Sequence, residues 1–577
     1  MNPAFSKHLE FLYGRAVASR VAPEFEALLD AFRLRIPRAL NPNPVALSQQ
    51  DVILIAYADQ VRAPGLPPLQ VLTDFANSHL CNLISGVHLL PFYPWSSDDG
   101  FSVKDFFAVD PSFGTWGDIQ CLGENFDLMF DAVFNHLSAQ SDWFQQFLRD
   151  DPDFRDFFVT VEGNPDLSQV VRPRALPLLT EFQTATGPRK VWTTFSADQV
   201  DLNFGNPRVL LATLEALIFY VIQGARFIRL DAIAFLWKEI GTCCLHLPQT
   251  HAVIHAMRAV LDEIAPEVQI ITETNVPHLD NLSYFGDGTN EAQLVYNFAL
   301  PPLVLHSLAT GNAEKLTRWA QSLRLPSDRT TFFNFLASHD GIGLNPARGI
   351  LTELEIDALA QRTLAHGGFI SYKNMPDGSR VPYEMNINFL DALSAADANE
   401  STALAARKFL TAQAILLSIQ GVPGLYFHSL FGSRGDRTGA DASGIARRIN
   451  REKLERTRLE TELGDVLTLR SHVWSGMRKL LEVRRAQPAF SPQSAQHVIA
   501  ADTRLFAVLR TPQEGGKPVL CGQNISPEPI ALAGLLADAA PNLGWVDLLT
   551  GRRYPVIGSD QALSRLDPFQ TVWLQPE

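Results

Sequence analysis

Eight short apolar runs, separated by stretches of helical spacing, constrain this chain more than any other feature of its sequence. They are DVILIAYAD (51–59), GVHLLPFYP (86–94), FDLMFDAVFNH (126–136), ARFIRLDAIAF (225–235), VQIITETN (268–275), LVYNFAL (294–300), TFFNFLASHD (331–340) and GVPGLYF (421–427). A strand buried on both faces reads as a nearly continuous apolar run, and parallel neighbours must be joined by a crossover, usually a helix. Eight such units in alternation predict an α/β architecture, a (β/α)8 TIM barrel. Spacing alone leaves a large open α/β sheet as the alternative.

The intervals between the runs are unequal. From the third run to the fourth the chain is too long for a crossover and is rich in Asp, Phe and Pro, so an inserted subdomain is expected over 137–205. A second insertion, about 341–400, follows the seventh run and carries the turn-rich NMPDGSRVPYEMN (374–386) at its centre. The barrel itself is expected over 46–136 and 206–495. Ahead of it, HLEFLYG (8–14) and FEALLDAFRLRI (25–36) have apolar residues at helical spacing, and NPNP (41–44) ends an N-terminal helical extension over 1–45. The alternating runs RLFAVLR, PVLCGQNI, GWVDLLTG and TVWLQPE predict a small β-domain over 496–577.

Composition excludes several classes. With 48 Lys and Arg against 62 Asp and Glu the net charge is −14, which argues against nucleic acid as a partner, since phosphate contacts need a concentrated basic patch. The five cysteines, Cys81, Cys121, Cys243, Cys244 and Cys521, form no CxxC pair, so neither a disulfide framework nor a zinc knuckle is expected. Cys243 and Cys244 read as buried packing. The apolar run ALIFYVI (216–222) is stopped by Gln223 and Gly224, and the N-terminus lacks a signal-like apolar region, so no membrane partner and a cytoplasmic location are expected. The charged segment 448–463 reads as a solvated helical face, and no heptad seam sets an oligomeric state. HExxH, GxGxxG and GxxxxGK[ST] are all absent, which leaves metalloprotease and nucleotide chemistry without their usual signatures.

Polar residues close four of the runs where apolar ones would be the default: Asp131, Asn135 and His136; Arg229 and Asp231; Glu273; His339 and Asp340. Residues two apart on a strand share a side, so Arg229 and Asp231 face the same way, and the carboxyl ends of barrel strands are where loops form a cleft. One aspartate at a strand end is ordinarily a cap or an ion pair. Several converging carboxylates suit glycoside chemistry, in which one attacks the anomeric carbon or stabilises its positive charge and another protonates the leaving oxygen. Arg229 is placed to keep Asp231 ionised, and Glu273, in the apolar IITETN, to be held protonated by desolvation.

DAVFNH (131–136), GARFIRLDAIAF (224–235), ITETN (271–275) and FLASHD (335–340), in that order, resemble the four signature regions of the α-amylase-type glycoside hydrolases. The resemblance implies that Asp231 is the nucleophile of a β-glucosyl-enzyme intermediate, Glu273 the general acid/base and Asp340 the carboxylate that stabilises the oxocarbenium-like transition state. His136 and His339 would bind hydroxyls of the glucose. Asn135 occupies a position that helps bind calcium in amylases, but the phosphorylase branch does not usually require it, so no metal and no cofactor are expected.

Finer features are similar to the sucrose-phosphorylase-like subfamily. SSDDGF (96–101) resembles an element whose aspartate, here Asp98, binds the far edge of the glucose and pairs with an arginine, here Arg451 of RRINREK. Phe101 resembles the aromatic platform beneath the ring, and Phe195 the movable aromatic on the acceptor side. VRPRALPLLT (171–180) resembles a segment whose arginine helps bind phosphate, with Arg174 the first choice and Arg172 the second. The resemblance therefore implies a retaining glycoside phosphorylase, for which inorganic phosphate is a co-substrate and α-glucose 1-phosphate the product.

The N-terminal extension, FLWKEIGTCCLHLPQTH (235–251), SYFGDGTNEA (283–292) and FLASHDGIGL (335–344) look most like the branch that includes glucosylglycerate phosphorylases. Glycerate, a small carboxylate, would need a cation or oriented donors at the acceptor side; His246, His251, Lys238, Arg348 and Lys373 are candidates. Sucrose, sucrose 6′-phosphate and glucosylglycerol phosphorylases, a retaining α-glucosidase or transglucosidase, and a non-catalytic binding relative are the competing readings.

Overall fold

The computed structural model describes residues 2–33, 35, 46–174, 176–374, 379–532, 535, 536, 544–554 and 565–577. The expected helix stop at NPNP, Ala175 of the arginine-bearing segment and residues 375–378 of the second insertion lie outside the described residues.

All eight apolar runs contain strands: β1 (Ile53–Ala56), β2 (Gly86–Leu89), β3 (Asp127–Ala132), β4 (Ala225–Leu230), β5 (Gln269–Thr272), β6 (Leu294–Tyr296), β7 (Thr331–Asn334) and β8 (Val422–Tyr426). Each pairs in parallel with the next, and β1 pairs with β8, so the sheet closes into a barrel and the open-sheet alternative falls away. Closure buries both faces, which is why the strand residues are apolar without alternation.

The strands are shorter than the runs. In the third run only Asp127–Ala132 is in the ladder; the remaining residues turn outward, and His136–Ser138 pairs instead with Gln199–Asp201. The same happens after β7, where Asp340 lies beyond the strand on a loop. The residues that leave the ladder at its carboxyl end are the ones that shape the cleft.

Between β3 and β4 a three-stranded antiparallel sheet is formed by Thr160–Val161, Leu179–Thr184 and Gly187–Trp192. A second one, after β7, places Arg380–Asn386 between Ile342–Gly343 and Phe369–Asn374. Helix Pro3–Tyr13 buries Phe5, Leu9 and Leu12, and helix Arg15–Arg33 buries Ala18, Val21, Phe25, Leu29 and Phe32, in each case one stripe at helical spacing. That stripe rests on the barrel: Asn2 N donates to Glu263 Oε2 of the crossover helix Pro248–Ile264 at 3.0 Å. A six-stranded antiparallel sheet runs from Ala495–Ile499 to Thr571–Pro576, and its Phe506 and Trp573 join the barrel's core. No helix among the described residues is long and apolar enough to cross a membrane. Contrary to expectation, Cys243 is exposed, since the loop that carries the pair buries only Cys244.

Candidate active site

Strand register explains why the carboxyl groups meet. Arg229 on β4 is level with Asp131 on β3, and Leu230 is level with Thr272 on β5. Asp231 and Glu273 are each one residue further on, and the ladder carries through: Asp231 N donates to Ala132 O at 3.2 Å and Glu273 N to Leu230 O at 3.1 Å. Adjacent strands lie about 4.8 Å apart, so two carboxylates at matching height start from a separation of about 5 Å, the spacing of retaining glycosidases.

Arg229 is the hub beneath them. It is 2% exposed and ion-paired with Asp131, which in turn accepts from His88 Nε2 at 2.7 Å. Its Nη1 lies 2.8 Å from Asp231 Oδ1 and its Nη2 3.9 Å from Glu273 Oε1. Glu273 Oε2 accepts from Ala232 N at 3.1 Å; Ala232 has φ 50° and ψ 32°, so the chain turns left-handed directly after Asp231 to deliver that donor. Such a conformation costs an alanine roughly 1–2 kcal/mol. Burial pushes both Asp231 and Glu273 above the usual carboxylate range, each raises the other or is raised by Asp340, and Arg229 opposes the rise. The guanidinium sits closer to Asp231 than to Glu273, so it favours the Asp231 anion more strongly than that of Glu273.

Asp340 behaves oppositely. Against its burial, Arg447, His339 and Arg451 hold it below the usual range. Arg447 Nη1 is 2.5 Å from Asp340 Oδ1, while His339 Nε2 and Arg451 Nη2 are each 3.5 Å from the same oxygen. Burial depresses His339 to about 3, so it is a neutral imidazole, and its ring stacks on Phe101 with centroids 4.5 Å apart and planes 6° apart.

One cleft is lined by Asp98, Phe101, His136, Arg174, Phe195, Asp231, Glu273, His339 and Asp340, with Gln199, Asn275, Tyr383 and Arg447 beside them. The catalytic-domain description of the α-amylase family matches residues 83–341. Glucosylglycerate phosphorylase of Escherichia coli strain K12 is 50% identical, with all of both chains covered, and that of Allomeiothermus silvanus is 48% identical over 98% of this chain and 97% of its own. The chain belongs to the α-amylase family, in its sucrose-phosphorylase-like branch. In fold it is similar to the crystal structure of sucrose 6F-phosphate phosphorylase from Thermoanaerobacter thermosaccharolyticum, with a TM-score of 0.73 and 24% identity over 84% of this chain and 95% of that one.

Within this family frame the other expected residues separate into two groups. Arg451 is not among the residues that line the cleft, but it lies directly behind one of them, its Nε donating to His339 O at 2.9 Å. The expected pairing with Asp98 is present, with Nη1 3.5 Å away, and Asp99 adds a shorter one at 2.7 Å. Asp98 and Asp99 both have positive φ, 53° and 49°, and this tight turn aims Asp99 at Arg451 and Arg448 while Asp98 stays in the cleft. Gly100 completes the turn, because a Cβ there would lie 2.6 Å from the Pro91 carbonyl oxygen. His136 lines the cleft, with Nε2 facing Phe101 O at 3.0 Å, and its ring lies 5.2 Å from that of Phe195. Arg174 is in the cleft, whereas Arg172 is not among its lining residues and donates to Leu176 O.

The expected acceptor cations do not line the cleft either. His246 Nδ1 is 2.7 Å from Tyr284 Oη, His251 Nδ1 is 2.7 Å from Glu291, Lys373 donates to Asn345 at 2.8 Å, and Arg348 pairs with Glu353. The Lys238 side chain is 3% exposed, its Nζ 2.8 Å from Asn135 Oδ1 and 2.6 Å from Asp201 Oδ2. An ammonium thus occupies the donor set around Asn135, and the residues present do not fit a calcium ion there. Among the described residues, no group of three or more His, Cys, Asp or Glu side chains is arranged to hold a metal ion. Sequence reasoning missed Arg447, Tyr383 and Asn275; Arg447 lies four residues before Arg451, so the arginine-rich RRINREK was the signal available.

Proposed function

We propose that this protein is a retaining glycoside phosphorylase of the hexosyltransferase type, which reversibly converts 2-O-α-glucosyl-D-glycerate and phosphate into α-D-glucose 1-phosphate and D-glycerate. The observation that carries the mechanism is the level pair Asp231 and Glu273 on one guanidinium. The substrate is supported by identities of 48–50% across the whole chain with proteins of that activity.

In the first displacement an Asp231 carboxylate oxygen attacks C1 of the glucose and the C1–O bond to glycerate breaks. Glu273 gives its proton to the departing glycerate oxygen, so no alkoxide is released. Asp340 stabilises the positive charge that develops at C1 and the ring oxygen. In the second displacement a phosphate oxygen attacks C1 from the face glycerate left, Glu273 recovers a proton from phosphate, and the bond to Asp231 breaks. Two inversions return the α-configuration. Asp98, Phe101, His136 and His339 form the glucose end of the cleft, with Arg451 supporting Asp98 and His339 from behind, Phe195 forms its acceptor side, and Arg174 the phosphate contact. The reading needs no resident metal or cofactor, uses a small sugar and phosphate as its partners, and places the protein in the cytoplasm, where α-glucose 1-phosphate is metabolised.

Phosphate release from α-glucose 1-phosphate, measured with D-glycerate, glycerol, fructose, fructose 6-phosphate or water alone, tests the proposal. Strong stimulation by glycerate alone is the expected result. Stimulation by another acceptor replaces the substrate and keeps the mechanism; release with water alone makes the protein a hydrolase, and no release overturns the enzymatic reading.

A further inference from the structure

Glu384 has no part in the chemistry above, yet it is 2% exposed and stands one guanidinium away from Asp340. It projects from strand Arg380–Asn386 and grips Arg447 as a fork, with Nε 2.9 Å from Oε1 and Nη2 2.5 Å from Oε2. The remaining nitrogen, Nη1, is the one 2.5 Å from Asp340 Oδ1. A planar guanidinium held at two of its nitrogens has little freedom left, so Glu384 decides where the third one points.

The backbone is shaped to allow this. Ile342 and Gly343 pair with Met385 and Glu384, and a Cβ on Gly341 would lie 2.6 Å from both Glu384 Cγ and the Met385 carbonyl oxygen. The residue that follows Asp340 therefore has to be glycine for the Glu384 side chain to pass. From the other side, the short turn Ala446–Asn450 supplies Arg447, and its Asn450 Nδ2 donates to Asp340 O at 3.0 Å. Three segments far apart in the chain, 340–343, 380–386 and 446–450, meet around Asp340.

We propose that Glu384 is a positioning residue, which acts through Arg447 to fix the Asp340 carboxylate where charge develops in the transition state. The inference rests on the retaining mechanism above, in which Asp340 has that task. Without Glu384 the Arg447 side chain regains its rotamers and Asp340 loses its main orienting contact. A displacement of about 1 Å at a reacting centre can cost about 10²-fold in rate.

A double-mutant cycle tests it, with kcat and KM read from phosphate release from α-glucose 1-phosphate in the presence of D-glycerate. Glu384→Ala is expected to lower kcat about 10²-fold with KM for α-glucose 1-phosphate changed less than about threefold. Glu384→Ala combined with Arg447→Ala should be no slower than Arg447→Ala alone, because one residue acts through the other. Glu384→Gln, which keeps one acceptor oxygen, should recover part of the loss. Additive losses would overturn the proposal, as would a Glu384→Ala enzyme with unchanged kcat. If Glu384→Ala does not fold, the same cycle is closed with Glu384→Gln. A wild-type protein that ignores glycerate would count against the substrate reading alone; the cycle is then run on hydrolysis of α-glucosyl fluoride, which reports on Asp340 without any acceptor.

Discussion

Asp231 and Glu273 lean unequally on the same guanidinium: Arg229 approaches Asp231 to 2.8 Å and Glu273 only to 3.9 Å. Two carboxyls at the same height on neighbouring strands are thereby placed unequally, and the proposed mechanism uses the first as the nucleophile and the second as the acid. Asp231→Ala should abolish glucosyl transfer from every donor. Glu273→Gln should cost about 10²- to 10⁴-fold with α-glucosylglycerate, whose leaving oxygen needs a proton. With α-glucosyl fluoride, whose leaving group needs none, the first displacement should survive in Glu273→Gln. Pre-steady-state fluoride release separates the two cases, and equal losses with both donors would remove Glu273 from the acid role.

The same proton has a consequence for stability. Burial raises the Glu273 carboxyl above its ordinary value of 4.5. A carboxyl raised in the folded state favours folding fully only below its unfolded pKa, and that contribution is lost as pH rises through the folded value. Glu273→Gln, permanently neutral, escapes the loss. Thermal unfolding should show the variant gaining on the wild type as pH increases from about 4 to 8. A constant difference across that range would mean that the folded and unfolded carboxyls titrate alike.

The barrel was legible because closure demands apolar residues on every strand, so the interior polar exceptions stood out as a site. Asp231, Glu273 and Asp340 followed from that contrast together with the family resemblance. What stayed hidden depends on direction, which spacing does not encode. Lys238, His246, His251, Arg348 and Lys373 all follow barrel strands in the sequence, His251 on helix Pro248–Ile264 and Lys373 on strand Phe369–Asn374, yet each turns to a partner elsewhere, four of them to an Asn or Glu side chain. In SSDDGF either aspartate satisfies the pattern, and only the left-handed turn at both positions decides that Asp99 takes the shorter contact with Arg451. Arg447 was concealed because its significance comes from Glu384, more than sixty residues away in an insertion whose path the sequence leaves open.

Lys238, in the loop after β4, bridges to the inserted segment through Asp201 and to the end of the third run through Asn135, all three side chains being shielded from water. Removing one member of a buried ion pair strands the other, at a cost of about 3–5 kcal/mol. Lys238→Met should lower the unfolding free energy by that order, as read from denaturant titration, while leaving Asp201 buried and unpaired. A chelator should leave wild-type activity and stability unchanged, because the ammonium already supplies the positive charge. A chelator-sensitive wild type would show that a divalent ion, and not Lys238 alone, ties these loops together.

Arg174 and Arg447 both line the cleft, but they are not equally free to meet an incoming anion. Arg447 is committed to Glu384 and Asp340, whereas the one carboxylate within 4.0 Å of Arg174 among the described residues is Asp98, at 3.8 Å. The side chain of Arg174 is also 35% exposed, so phosphate can reach it from solution. Charge-assisted hydrogen bonds of this kind contribute about 1.5–3 kcal/mol, which corresponds to roughly 10- to 100-fold in binding. Arg174→Ala should raise the KM for phosphate by that factor, and hydrolysis of α-glucosyl fluoride, in which no anion enters, should be spared. Arg174→Lys keeps the charge without the fork and should fall between the two. Glycerate is also an anion and approaches the same face of the intermediate, so its KM should rise in Arg174→Ala as well. Equal losses in phosphorolysis and hydrolysis would instead mean that Arg174 supports the glucose end of the cleft through Asp98, and the phosphate contact would have to be sought at Tyr383 and Arg447.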